Sequence, residues 1–353
     1  MTDKLPRVAV VLVHYEDYAL GHFEHCYQDL LSQSFPKDLF TVFVVSNGAS
    51  KESDDFVQAL SPGARHLRNG NNEGWAHANN LAITIALKEN YEYIVLLNMD
   101  MQLDRNWLLH LFRAAEEQAS LHIIQSKIML HGTTRINSMG NRTHFLGYGY
   151  CMGFGKEPRD YKEDATIDFA SGASMLVRSE VFRRIGLFDE KYFMYYDDME
   201  FCWRARLAGF FVSLEPRSVC YHKYDFSGKI NFLYHFEKNR LLTLFTLLKK
   251  RSLLLIALPL ITAQVVSSLY FICIGYSRQI CALYAFFCKR KTWDHIYSKR
   301  MKMRSLRQRS DAAIVKNFSP YIMFPAIQHN MGIKISNILL SFYWKALAIF
   351  ICW

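Results

Sequence analysis

The first hundred residues alternate continuous apolar runs with amphipathic stretches. Val8–Val13 (VAVVLV) is an unbroken run rich in β-branched residues, the mark of a strand buried on both faces. His14 and Tyr15 end it, and Ala19–Leu31 reads as an amphipathic helix closed by Phe35-Pro36. A second buried strand, Thr41–Val45, runs into the turn signal Ser46-Asn47-Gly48. A short helix near Glu52–Leu60 follows, then a weaker strand near Arg65–Leu67, a polar loop at Asn69–Gly74 and a helix at Trp75–Lys88. Tyr93–Leu97 (YIVLL) is the strongest strand signal; it delivers Asn98-Met99-Asp100 to its carboxyl end, and Asp104–Ala119 returns as a helix. This alternation predicts an α/β fold with a parallel, doubly wound sheet that binds ligands at the carboxyl edge of its strands. His14, Ser46, Asn72–Gly74 and Asp100 all fall on that edge.

The signals weaken from Leu121 to Tyr161. Ser171-Gly172-Ala173 then reads as a loop leading into a strand that ends at Arg178, and Phe210–Leu214 and Val219–His222 read as two further strands. A first domain is expected to span 1–240 and a helical region 241–353. The second region changes character. Ser252–Ser277 is 26 residues without a charge, beyond the roughly 20 needed to cross a bilayer. Gln279–Cys288 continues apolar, and Ser336–Trp353 has Lys345 as its only charge.

The net charge of +10 is concentrated: Lys289–Arg309 holds nine Lys/Arg against the single acid Asp294. Beside an apolar run, such a block is expected to meet anionic lipid headgroups rather than nucleic acid. With basic residues on both flanks of Ser252–Cys288, a hairpin or half-immersed pair of helices fits better than a single crossing. The eight cysteines form no CxxC pair, which points to a reducing compartment. No secretory signal is read at the N-terminus, so the first domain is expected on the cytoplasmic side. The first strand is followed by no GxGxxG, which makes a dehydrogenase an unlikely reading.

One stretch concentrates the chemistry. Phe188–Arg204 (FDEKYFMYYDDMEFCWR) sets five carboxylates among aromatics, and Asp197, Asp198 and Glu200 stand where a loop becomes a helix. Acids at a helix start serve as caps. A carboxylate held behind an aromatic wall also has the raised pKa that a general base needs. Both readings stand on this stretch alone.

Several short motifs occur in one order: Asn69-x-x-Asn72-x-Gly74 with Asn79-Asn80, LLNMD at 96–100, SGASMLVR at 171–178, GLFDEKYFMYYDDMEFCWRARLAGF at 186–210, and His222 after a strand. Over residues 7–240 the chain resembles the family 2 inverting glycosyltransferases of GT-A fold, above all their rhamnosyltransferase-like branch. The resemblance implies a mostly parallel, Rossmann-like sheet, with the membrane-associated helical region after it. It implies that Asp198 is the general base and that Asp100 and His222 bind Mg²⁺ or Mn²⁺. His14, Ser46, Asn72, Gly74, Asn79, Gly172, Asp189, Glu190 and Arg204 are the expected substrate-binding residues; for Arg204 a structural ion pair is the competing role. His77 and His110 are read as ordinary surface or core residues.

Three positions depart from the family pattern: Ser46 replaces a base-reading Asp, Gln102 replaces the second acid of the metal motif, and Asp197 stands where Glu is usual. The implied activity moves a sugar, rhamnose or another hexose, from a nucleotide-sugar donor to a glycan or lipid-linked acceptor at the cytoplasmic membrane face. The alternatives are a polyprenyl-phosphate sugar synthase and a non-catalytic membrane scaffold that keeps the fold.

Overall fold

The structure is a computed structural model that describes residues 6–161, 167–223, 232–324 and 330–353. The chain divides into two compact units. One comprises Met1–Asn141, Cys151–Ala205 and Phe210–Asp225, the other Arg142–Tyr150, Arg206–Gly209 and Phe226–Trp353.

The first unit opens with β1 (Val8–Glu16), α1 (Tyr18–Leu31), β2 (Phe40–Ala49), α2 (Lys51–Leu60), β3 (Arg65–Asn69) and α3 (Trp75–Lys88). It continues through β4 (Tyr93–Leu97), β5 (Met101–Leu103), α4 (Trp107–Glu117), β6 (Ile123–Leu130) and β7 (Ile136–Ser138). After the short β8 (Asn141–Thr143) and β9 (Gly149–Cys151) come β10 (Ser174–Arg178), α5 (Ser179–Ile185), α6 (Asp197–Leu207) and β11 (Val212–His222). The main sheet runs β3-β2-β1-β4-β10-β6-β11-β5, with β7 on β6.

The continuous apolar runs are the parallel half. β1 lies between β2 and β4, parallel to both, with Val10 opposite Val42 on one side and Val95 on the other. Val8 to Leu12 are buried on both faces, which is why this strand does not alternate. β10 then pairs antiparallel with both β4 and β6, so the sheet is mixed. The two strands expected at 210–214 and 219–222 are one strand, β11, whose register against β6 shifts between Glu215 and Val219. Pro216 lies in that interval and has no N–H to give the ladder. Trp107 is fully buried, and its indole N–H reaches Ser126 Oγ at 2.8 Å and Ser174 Oγ at 2.9 Å. It thereby ties α4 to β6 and β10; truncation to Ala would cost about 3–5 kcal/mol.

The second unit holds α7 (Leu233–Leu247), α8 (Lys250–Cys273), α9 (Ser277–Cys288), α10 (Arg290–Leu306), α11 (Asp311–Val315) and α12 (Met331–Ala348). The boundary expected at 240 falls inside α7. Among the described residues α8 is the one helix long and apolar enough to cross a bilayer, and only about a third of its apolar stretch is buried. Arg240 on α7 is fully buried; it binds Glu237, Leu146 O and Gln264 Oε1 and lies over the Tyr148 ring.

Candidate active site

The backbone brings the two expected carboxylates to one place. Beyond the end of β4, Asn98 N–H donates to Ala173 O at 3.0 Å, adding a rung to the pairing with β10. Asp100 lies two residues past that rung on one strand. On the other, Gly172 N–H donates to Asp198 Oδ2 at 3.0 Å. Asp100 thus follows this rung in the turn that leads to β5, and Asp198, on α6, bonds the residue next to its other end.

Asp100 is buried, and His222 Nε2 lies 3.1 Å from its Oδ2. Sheet register accounts for this: β11 sets His222 opposite Met101, and Lys223 N–H donates to Asp100 O at 3.0 Å. The other ring nitrogen, Nδ1, is 3.4 Å from Asn137 Oδ1, a contact that holds the ring in this orientation. Burial works to raise the Asp100 carboxyl. The hydrogen bond and charge of His222, with lesser help from the Tyr18 hydroxyl and His22, outweigh it and hold the group below the usual range. Tyr18 stacks on Tyr15 and leans on His22, so α1 supplies an aromatic wall beside this carboxylate.

This pair fits a divalent cation. Asp100 Oδ1 is buried without a hydrogen-bond partner among the described residues, and an oxygen beside an imidazole nitrogen is a donor set that suits Mn²⁺ or Mg²⁺. Among the described residues no cluster of three or more acid, His or Cys side chains forms. Gln102 is exposed on β5 and shares a face with Tyr221, away from Met101 and His222; it lines an open cleft of about 850 Å³ with Thr133, Thr134, Arg135 and Glu157.

Asp198 stands in the first turn of α6, partly buried, and its Oδ1 accepts from Met199 N–H at 2.7 Å. Burial raises its pKa; the amides of Gly172 and Met199 pull it back only in part. The chain approaches it through Phe193, Tyr195 and Tyr196, all in the left-handed backbone region at φ 66°, 64° and 69°. Such geometry costs on the order of 1–3 kcal/mol per residue and persists only where packing enforces it. Here Trp75 N–H donates to Phe193 O at 2.6 Å. Gly74, at φ 91°, makes that approach possible, since a Cβ there would lie 2.3 Å from Phe193 O. A Cβ on Gly172 would meet the Trp75 ring at 2.7 Å, so both glycines are needed to seat Trp75 against Asp198.

Two of the expected substrate-binding residues have side chains engaged within the fold. Arg204 is buried with its whole guanidinium engaged: it grips both Glu200 oxygens at 2.9 Å and donates to the carbonyls of Ile185, Gly186 and Leu187. It is a clamp holding α6 to the preceding loop, the ion-pair role that sequence reasoning had set beside substrate binding. Asn79 is buried and donates to Trp75 O within its own helix. Its neighbour Asn80, part of the same motif but not among the expected substrate-binding residues, holds Phe188 through both its amide atoms and donates to Glu190 Oε1 at 3.0 Å. Glu190 also meets His77 at 3.2 Å, while Asp189 Oδ1 caps Lys191 N–H at 3.1 Å.

At the other end of the edge, Asn47 knots the loops. It donates to Asn72 Oδ1 and Gly74 O and accepts from Asn69 and the Glu73 amide. Ser46 is buried with its Oγ unpartnered among the described residues, and it faces a cavity of about 100 Å³ lined also by His14, Asp54, His66 and Arg68. His14 touches Ser53 Oγ at 3.2 Å and Asp54 at 3.5 Å; burial is the main reason its pKa falls to about 4. Asp54 and Arg68, 3.4 Å apart, were not singled out from sequence, because a lone acid on a helix and an arginine on a weak strand carry no motif.

A parallel half with Asn-rich loops at its carboxyl edge, joined through an antiparallel strand to a carboxylate–histidine pair, is the arrangement of a GT-A fold. GalNAc-T7 crystallised with UDP, GalNAc and Mn²⁺ shares it at TM-score 0.55 and 15% identity, over 69% of this chain and 48% of that one. So does the mannosyltransferase PcManGT from Pyrobaculum calidifontis in complex with GDP-Man and Mn²⁺, at TM-score 0.52 and 14% identity, over 99% and 88%.

Residues 10–186, half the chain, match the profile of glycosyl transferase family 2, and the chain belongs to that family. It is 28% identical over 166 residues to the low-salt glycan biosynthesis hexosyltransferase Agl10 of Haloferax volcanii, covering 46% of this chain and 52% of that protein. It is 27% identical over 161 residues to the rhamnosyltransferase WbbL of Escherichia coli K12, covering 42% and 60%. The chain therefore spans little more than half the length of these relatives.

Proposed function

We propose that this chain transfers a hexose from a nucleoside-diphosphate donor to a hydroxyl of a glycan or lipid-linked glycan, inverting the anomeric centre in a single displacement. The observation that carries this reading is the pair of unlike carboxylates flanking the Asn98–Ala173 rung: Asp100 held ionised beside His222, and Asp198 raised by burial. Asp198 takes the proton of the acceptor hydroxyl as its oxygen bonds to the anomeric carbon, and the bond to the diphosphate breaks on the opposite side. Asp100 and His222 would hold Mg²⁺ or Mn²⁺, which supplies charge to offset that building on the departing diphosphate. The polar cavity at Ser46 and His14 suits the nucleoside end of the donor, and the Asn47 knot keeps the Asn72–Gly74 loop in place beside it. The Mn²⁺ in the two structural neighbours and the hexosyl and rhamnosyl activities named for the relatives support the same reading.

The test is Asp198→Asn. Transfer should fall by about two to four orders of magnitude, while calorimetry shows donor binding retained. Turnover near the native rate would reduce Asp198 to a helix cap and remove the mechanism.

A further inference from the structure

The second unit is built inside out. On α8 the buried positions Ser252, Ile256, Leu260, Gln264 and Ser268 recur every fourth residue, and three of these five are polar. The faces turned away carry Leu254, Leu258 and Ile261 at 76%, 69% and 63% exposure, followed by Val266 and Leu269. On α12 the buried residues are Ser341 and Trp344, whereas Ile335, Ile338, Leu339 and Phe342 face outward. A helix solvated by water buries its apolar stripe. Small and polar residues inside, with aliphatic ones outside, is the pattern of helices solvated by hydrocarbon.

The inward polar stripe is satisfied within the unit. Gln264 accepts from Arg240 and donates to Ser268, Ser268 meets Tyr284 Oη at 2.9 Å, and Ser252 donates to Asp311. α12 lies against α8, with Tyr343 Oη donating to Leu255 O at 2.8 Å. α10 adds complementary charge: Arg290, Lys291 and Arg304 are exposed on it, with Trp293 and Tyr297, the side chains that favour anionic headgroups and the bilayer interface.

We propose that α8 and α12 together form a face that lies lengthwise in one leaflet of an anionic bilayer, with α10 at the headgroups. The inward stripe runs from Ser252 to Ser268, nearly the length of α8. The unit that covers it buries Glu237, Lys238 and Arg240, so carrying α8 across the bilayer would draw these charges through hydrocarbon. This places the chain on the membrane without a crossing, and it replaces the α8–α9 hairpin with an α8–α12 pair as the immersed element.

The full-length protein should float with vesicles of phosphatidylcholine containing phosphatidylglycerol, and high salt should not release it. Leu258→Glu and Phe342→Glu should each weaken flotation by about tenfold or more, with melting unchanged because both side chains are already exposed. Leu31→Glu, on the first unit, should float as the native protein does. A protease site inserted after Gly275, between α8 and α9, should be cut by protease added outside the vesicles. Native-like flotation of both glutamate variants, or protection of the inserted site, would overturn the proposal. So would a dimer that binds no vesicles and is dissolved by the same two substitutions, because a second copy would then cover the face.

Discussion

Asp100 follows β4 and Asp198 opens α6 against the Gly172 loop, and their surroundings push them in opposite directions. Both are taken out of water, which favours the protonated form. Asp100 has an imidazole at 3.1 Å and a tyrosine hydroxyl nearby, and it stays acidic. Asp198 is compensated by the backbone amides of Gly172, Met199 and its own residue, which offset burial only in part, and its pKa rises. One carboxylate is thereby suited to hold a cation and the other to accept a proton, with no difference in residue type.

That contrast can be broken on the acidic side first. Asp100→Ala should weaken nucleoside-diphosphate binding in Mn²⁺ by about a hundredfold, and His222→Ala by less. Calorimetry with and without Mn²⁺ reads both, and equal affinity in the two conditions would take the metal out of the scheme. A smaller effect is expected from Asn137→Ala, which leaves both ligands in place and frees the ring: Mn²⁺ affinity should drop by about tenfold. The pH profile sharpens the same contrast. Asp198 must be ionised to act and its pKa is raised, so kcat/KM should fall, on acidification, above the ordinary carboxylate range.

The smallest effect concerns stability. His14 titrates near 6.5 when unfolded and about 4 when folded, so the unfolded chain takes up its proton first. Stability is therefore unaffected above 6.5, declines as the pH falls from 6.5 to 4, and changes no further from this group below that. The loss is on the order of a few kcal/mol. Denaturant melts of His14→Gln across this window should show a shallower decline than the native protein.

The parallel half was legible in sequence because strands buried on both faces leave continuous apolar runs; helix α3 begins and ends where its pattern says. Strand direction was not legible: nothing in SMLVR marks β10 as antiparallel. Of the site, Asp100, His222 and Asp198 stood out through their motifs. Tyr18 and His22 did not, because their spacing of four reads as one face of an amphipathic helix. Asn79 and Asn80 are adjacent, and only the packing decides which one turns inward to its own helix and which reaches the Phe188 loop. Arg204 carried two readings in sequence, and only the packing shows its guanidinium taken up by Glu200 and the carbonyls of Ile185, Gly186 and Leu187.

The rung between Asn98 and Ala173 acts as a ruler. If Asp100 marks the diphosphate end of the reaction and Asp198 the attacking hydroxyl, both ends of the line of bond exchange are referred to one backbone hydrogen bond, through the turn after Asn98 on one side and the Gly172 amide on the other. That shared reference is fixed, so this axis should be common to every sugar that is transferred. Choice among donors and acceptors must then be exercised sideways, by side chains flanking that line. Altering those should change which sugar is transferred and leave the stereochemical outcome untouched.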